Sequence, residues 1–331
     1  MSTIDTLARP SVHIRRPLAD RVDRLLVPLL VIAVVITAMG LHGYWAFKVS
    51  TLLVFAIAVR SMQLLVGASG QVSLGHGAFF AVGAYTAGVL STHGWAPGVA
   101  TVPVAALVTG LAGFLFGLPA VRLAGPYLAL ATFALALALP QLLKHSAFEG
   151  WTGGVSGLSL DPAESPLIFM SADQWLLLLA ALWCGLIFVA ADRLLKGPCG
   201  LAWMSLRDQP TAATAMGVDV PKWKAVAFAV SSAMVGAAGA LSAAVSGFVS
   251  PDSFNVFLSL FLLVGVAISG PRYASGSFVA AAFLVFVPDL AERVSQEWTG
   301  VIYGTVMLAS VYIAPGVRRL RMRRTMARRK I

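Results

Sequence analysis

Charge is what this sequence lacks most. Only 11% of its 331 residues are Asp, Glu, Lys or Arg, against about 25% in an ordinary soluble chain. Hydrophobic residues make up 58%, and mean hydropathy is +0.84. An ordinary soluble domain is thereby excluded. Cysteine is nearly absent as well. Cys184 lies in an apolar run and Cys199 in a polar loop, so neither a disulfide framework nor a cysteine metal cluster is in place. A phosphate-binding loop is also missing. Such a loop needs Gly-Lys-[Ser/Thr], whose backbone amides and lysine hold the phosphates. None of Lys48, Lys144, Lys196, Lys222, Lys224 or Lys330 follows a glycine. No nucleophile–histidine set or acid–base pair is visible, so the chain is expected to be no enzyme and to carry no cofactor.

What is there is a succession of long apolar runs. A helix needs roughly 20 such residues to cross a bilayer. The runs are continuous rather than alternating, which argues against a β-barrel. Ten spans are expected: Leu25 to about Leu41, Trp45–Val66, Gln71–Leu90, Val99–Ala120, Tyr127–Leu143, Gln174–Ala191, Ala225–Ser246, Phe254–Ser269, Ser277–Leu290 and Gly300–Ala314. The fold class is an all-α integral membrane protein, a polytopic helix bundle. No small-residue cleavage site follows the first run, so it is read as a retained helix rather than a signal peptide.

Charge sets the orientation. With both tails in the cytoplasm, all but Lys48, Lys144 and Arg293 of the 24 Lys and Arg fall inside, as the positive-inside bias requires. The expected organisation is a basic cytoplasmic N-tail over 1–24, a membrane domain over 25–315 and a basic cytoplasmic C-tail over 316–331. Within the membrane domain, 144–172 is an external polar loop and 193–224 a cytoplasmic one. A net charge of +10 could suggest nucleic acid. Its placement at helix ends and tails reads instead as topology and contact with anionic membrane lipid, with no nucleic acid bound.

Two stretches are out of keeping with a plain bundle. Arg193–Lys224 is a long polar interruption in which Leu201, Met204, Leu206, Ala212, Ala213, Ala215 and Met216 lie among polar residues. That pattern predicts short amphipathic helices, with Pro210 breaking or beginning one. Gly70–Tyr85 (GQVSLGHGAFFAVGAY) is rich in glycine and carries Gln71, Ser73 and His76. Those side chains are costly against lipid and are expected to face a protein interior or a cavity, in a helix that the glycines could break. A tight helix–helix contact, with Gln71 and His76 bonding to neighbouring helices, accounts for them equally well. His76 has no partner at metal-ligand spacing.

Gly70–Tyr85 also resembles the signature of the permease subunits of branched-chain amino acid ABC importers. Gly125–Ala134 (GPYLALATFA), Thr152–Leu158 (TGGVSGL), Gly200–Val218, Gly236–Leu241 (GAAGAL) and Phe248–Phe254 (FVSPDSF) are similar to further family segments in the same order. The member with the long N-terminal addition fits best. The resemblance implies a bacterial inner-membrane subunit, paired with a second homologous permease, cytoplasmic ATP-binding subunits and a periplasmic substrate-binding protein. It implies that Gly200–Val218 is the coupling loop on which the ATPase docks, through Leu201, Met204, Leu206, Ala212, Ala213, Met216 and Gly217, with Arg207 as polar anchor. The solute, a branched-chain amino acid or a related small polar molecule, would pass Gln71, Ser73, His76, Tyr85, Tyr127 and Thr132. The alternative is a secondary transporter or channel without an ATPase, which calls for carboxylates inside the membrane. Asp192 and Asp289 come closest to apolar runs.

Overall fold

The computed structural model describes residues 28–29, 31–35, 40–95, 98–120, 125–160, 170–270, 273–294, 300–301 and 304–309. Among the described residues the main helices follow in order: α1 Tyr44–Leu64, α2 His76–Thr92, α3 Gly98–Ala120, α4 Pro126–Leu143, α5 Ala172–Lys196, α6 Pro198–Asp208, α7 Pro210–Ala215, α8 Val220–Ser246, α9 Val256–Ser269 and α10 Ala274–Val294. Residues 31–35 and 304–309 are helical too. Two short strands, β1 Leu158–Ser159 and β2 Phe248–Val249, pair antiparallel and tie the α4–α5 loop to the end of α8. The protein is an all-α membrane bundle.

Six helices among the described residues are long and apolar enough to cross a membrane: Tyr44–Ser69, Ala100–Pro119, Pro126–Leu143, Ala172–Lys196, Val220–Ser246 and Ala274–Arg293. Each corresponds to one expected span. The expected third span differs, because its first five residues, Gln71–Gly75, are not helical and α2 starts at His76. The expected eighth is a 14-residue apolar helix, Val256–Ser269. The expected first and last spans are described only in part, and both tails fall outside the described residues, as do Arg122, Asp161, Glu164 and Arg272.

The core forms where small residues let backbones touch. Gly83 of α2 lies against the Gly236 backbone of α8, and Gly236 lies against Thr109 of α3. Gly239 abuts the Phe80 carbonyl, and Gly113 abuts Ser232. Without a hydrophobic drive between helices in lipid, such close approach is the main source of attraction. Aromatic rings fill the space beside these crossings, with Phe79 and Phe228 edge-to-face at 5.5 Å. Of the six membrane-length helices α1 and α8 are the most enclosed, whereas α4 buries only the stripe Leu128, Thr132, Ala136 and Pro140.

Among the described residues, ion pairs gather at the two ends of the bundle. At one end Lys48 pairs with Asp289 at 2.6 Å, and Lys144 with Asp252 at 2.5 Å. At the other, Arg60, only 3% exposed, pairs with Asp192 at 2.8 Å, and Asp192 also holds Lys196 at 2.6 Å. Beside Arg60, the Gln63 amide donates to Ser269 Oγ at 2.8 Å and to the Gly270 carbonyl at 2.9 Å. This network joins α1, α5 and the end of α9.

Candidate functional site

The site is built around the turn between α1 and α2. The end of α1 widens into a π-helical turn, Leu65–Ser69, and Gly70 closes it with φ +70°, a left-handed conformation that glycine adopts without a steric penalty. The extended residues that follow have backbone groups to satisfy, because a buried amide left without a partner is costly. Thr132 of α4 supplies one acceptor. Its hydroxyl accepts from Leu74 N–H at 2.9 Å and donates to the Ala129 carbonyl at 2.9 Å. Ser73 Oγ accepts from Gly75 N–H at 3.2 Å, and Ser259 Oγ of α9 accepts from Gly77 N–H at 2.8 Å. Gly75 itself is pinned, since a Cβ there would stand 2.9 Å from the Thr132 carbonyl oxygen.

The expected polar residues of this stretch are buried: Gln71 is 4% exposed, and Ser73, His76 and Thr132 are wholly enclosed. The Gln71 amide donates to Ser69 Oγ at 3.0 Å and to the Lys224 carbonyl at 3.2 Å. His76 Nε2 meets Ser231 Oγ of α8 at 2.8 Å, and the Ser231 hydroxyl donates onward to the Ser61 carbonyl of α1 at 2.8 Å. Because Ser231 spends its proton on Ser61, Nε2 carries the hydrogen of the His76–Ser231 bond. Among the described residues no protein group partners His76 Nδ1 or Gln71 Oε1. The interhelical-bond reading of Gln71 and His76 therefore describes what they do in this conformation.

The other two expected pathway residues lie apart. Tyr85 is buried two turns further along α2, with its ring against Phe254 at 6.1 Å. Tyr127 is 68% exposed. Its neighbours Pro126, Leu128 and Ala129 border a cavity of about 530 Å³, and Tyr127 does not. That cavity opens between the Gly70 turn, the start of α4 and the polar loop. Ser69, Gly70, Gln71, Leu206, Arg207 and Lys224 complete most of its wall.

The polar loop is the second part of the site. Pro198 starts α6 and Pro210 starts α7, so Pro210 both ends one amphipathic helix and begins the next. The inward face carries Trp203, Leu206 and Ala213, all buried, and Trp203 Nε1 donates to the Trp223 carbonyl at 3.0 Å. The outward face carries Leu201 (69% exposed), Met204, Ala212 and Met216 (84% exposed). Gly217 is exposed with φ +85°. It ends α7 through Gly217 N–H to the Thr214 carbonyl and Val218 N–H to the Ala213 carbonyl, both at 3.0 Å, a Schellman cap that needs a left-handed residue. Arg207 does not point outward. Its guanidinium pairs with Asp208 at 2.8 Å and donates to the Gly67 carbonyl.

Sequence reading did not single out Gly67, Trp203, Ser231 or Ser259. The two serines left a signal, since each is a polar residue inside an apolar run. Among the described residues no group of His, Cys, Asp and Glu could hold a metal ion.

Residues 43–311 match the family model described as branched-chain amino acid transport system / permease component. The chain is 32% identical over 321 residues to the high-affinity branched-chain amino acid transport system permease protein LivM of Escherichia coli (strain K12), covering 88% of this chain and 73% of that protein. It is 32% identical over 320 residues to LivM of Salmonella typhimurium, with the same coverage. No solved structure matches the chain.

Proposed function

The chain belongs to the family of permease components of branched-chain amino acid transport systems, and from that premise we propose how its geometry is used. It is a membrane-spanning permease subunit of an importer. ATP is hydrolysed on separate cytoplasmic subunits, a second homologous permease completes the membrane part, and a periplasmic binding protein delivers the solute. The cargo is a branched-chain amino acid, as the names of the relatives suggest, or a small polar solute of that kind. The chain crosses a bacterial inner membrane ten times with both termini in the cytoplasm.

One observation carries this reading: the polar loop is a folded two-helix platform, anchored by Trp203 and Leu206, that still presents Leu201, Met204 and Met216 to solvent. Apolar side chains held outward beyond the helix ends fit a protein partner. The ATPase docks there, with Ala212 and Gly217 at its edge, while Leu206 and Ala213 hold the platform from within. The solute passes the interrupted segment between α1 and α2 and leaves through the cavity beneath Gly70, past Gln71, Ser73, His76 and Thr132.

The rival is a secondary transporter. It needs a carboxylate free to bind a coupling ion. Asp192 is held by Arg60 and Lys196, and Asp289 by Lys48 and Tyr44, which favours the ATP-driven reading. An affinity-tagged chain, purified in mild detergent from its own cells, should bring down an ATP-hydrolysing subunit and a second permease. Recovery of the chain alone, with no ATPase activity, would speak against the importer assembly.

A further inference from the structure

A side chain that is not part of the docking face reaches from the docking platform to the transport segment. Arg207 stands near the C-terminus of α6. The Gly67 carbonyl lies in the last turn before Gly70, where a helix has no further backbone donors to offer. Arg207 Nη1 donates to that carbonyl. The contact is charge-assisted and stands at the negative end of the helix dipole, both of which strengthen it. The stem of the same side chain fills the notch left by Gly70. A Cβ at Gly70 would stand 2.7 Å from Arg207 Cγ and 3.4 Å from its Cβ.

Gly70 and Arg207 also border the cytoplasmic cavity together with Gln71. Any displacement of α6 thus pulls on the carbonyl at the end of α1, on the turn at Gly70 and on the wall that holds Gln71. The segment on the far side of the turn is tied to α4 through Leu74 and Thr132. Force entering at α6 has a short covalent and hydrogen-bonded route to the interrupted segment.

We propose that Arg207 is a transmission latch: it couples movement of the ATPase-docked helix α6 to the Gly67–Gly75 segment, and it is not itself a docking contact. The inference rests on the importer reading. In the latch, Arg207 is a positioning residue that acts through Gly67 and Gly70 without touching solute.

The test uses the whole complex of both permeases, ATPase subunits and binding protein, reconstituted in liposomes, with uptake of radiolabelled leucine and ATP hydrolysis measured together. Arg207→Met keeps the stem and removes the donor, while Gly70→Ala presses on the stem from the other side. Both variants are expected to retain their ATPase subunits and to keep hydrolysing ATP, with uptake per ATP reduced roughly tenfold, the scale of one lost charge-assisted hydrogen bond. In an Arg207→Ala background the Cγ that meets the new methyl is gone and only the strain of an alanine at φ +70° remains, so adding Gly70→Ala should cost clearly less there than in the unmodified protein, a non-additivity expected of residues in contact. Loss of the ATPase from the Arg207→Met complex would overturn the latch in favour of a docking role. So would an uptake-to-hydrolysis ratio equal to that of the unmodified complex, or full additivity of the two substitutions. A wild-type complex that neither binds an ATPase nor takes up leucine would overturn the importer reading, and the latch with it.

Discussion

Replacing Gly83 with valine is expected to remove almost all folded permease from the membrane. The position has no room for any Cβ, because the Gly236 backbone of α8 occupies the space. Neither side can yield. Gly236 is itself backed by Thr109 of α3, and one turn along α8 Gly239 is in contact with the Phe80 carbonyl. Three helices would have to separate at their closest crossing. Overpacking a well-filled interior typically costs about 1–3 kcal/mol and more where backbone must move, and the close packing given up here is what draws helices together in lipid. The measurement is the monodisperse fraction recovered after detergent extraction and size-exclusion chromatography. Gly150→Val is the control, since nothing lies within 4 Å of a Cβ there and the residue is exposed. It should give the wild-type profile, whereas Gly83→Val should give aggregate or no protein.

The second large effect is expected at the outward face of the loop. Leu201→Glu combined with Met216→Glu should abolish ATP-driven uptake, a drop of about a hundredfold or more, while leaving the permease folded. Both side chains are largely exposed, so neither substitution buries a charge in the free subunit. In a docked complex each would lie in an apolar contact, where a central residue is worth about 2 kcal/mol or more and an unpaired charge is more costly still. Extraction and thermal stability of the variant should match wild type, and the ATPase should no longer copurify. Trp203→Ala is the contrasting case: it empties a fully buried site and removes the donor to the Trp223 carbonyl, so its damage should appear first as lost stability.

How much of this was legible in the residues follows from what hydropathy measures. The apolar runs gave the membrane helices, because burial in lipid and burial in protein leave the same pattern. For the same reason they gave helix ends poorly. Helix α8 begins at Val220 rather than at Ala225, because Asp219 caps it by accepting from Lys222 N–H at 3.1 Å and Pro221 fits a first turn. Helix α5 runs on to Lys196, because Asp192 is occupied by Arg60 and by Lys196 one turn later. The Gln71–Gly75 segment is apolar enough to pass for helix, and only the folded chain shows where its backbone N–H groups go: Gln71 to the Leu65 carbonyl, Leu74 to the Thr132 hydroxyl and Gly75 to the Ser73 hydroxyl.

The polar residues of Gly70–Tyr85 could be read as interior from sequence, and they are. Their partners could not, since Ser231 and Ser259 come from helices more than 150 residues away in the chain. Tyr127 illustrates the converse. Helix α4 is apolar on every side, so periodicity did not say which face is buried, and the buried stripe through Leu128 and Thr132 leaves Tyr127 outside. In the polar loop, alternation of apolar and polar residues revealed two amphipathic helices. It could not separate Leu206 and Ala213, which hold the loop down, from Leu201 and Met216, which face out. The positive φ at Gly217 supplies the physical reason for a glycine there.

The measurement that bears most directly on the account is uptake of radiolabelled leucine into liposomes, with the chain supplied either alone or with its permease, ATPase and binding-protein partners. Uptake should occur only when all of them are present with ATP, and imposed proton or sodium gradients should have no effect. Gradient-driven uptake by the chain alone would contradict it.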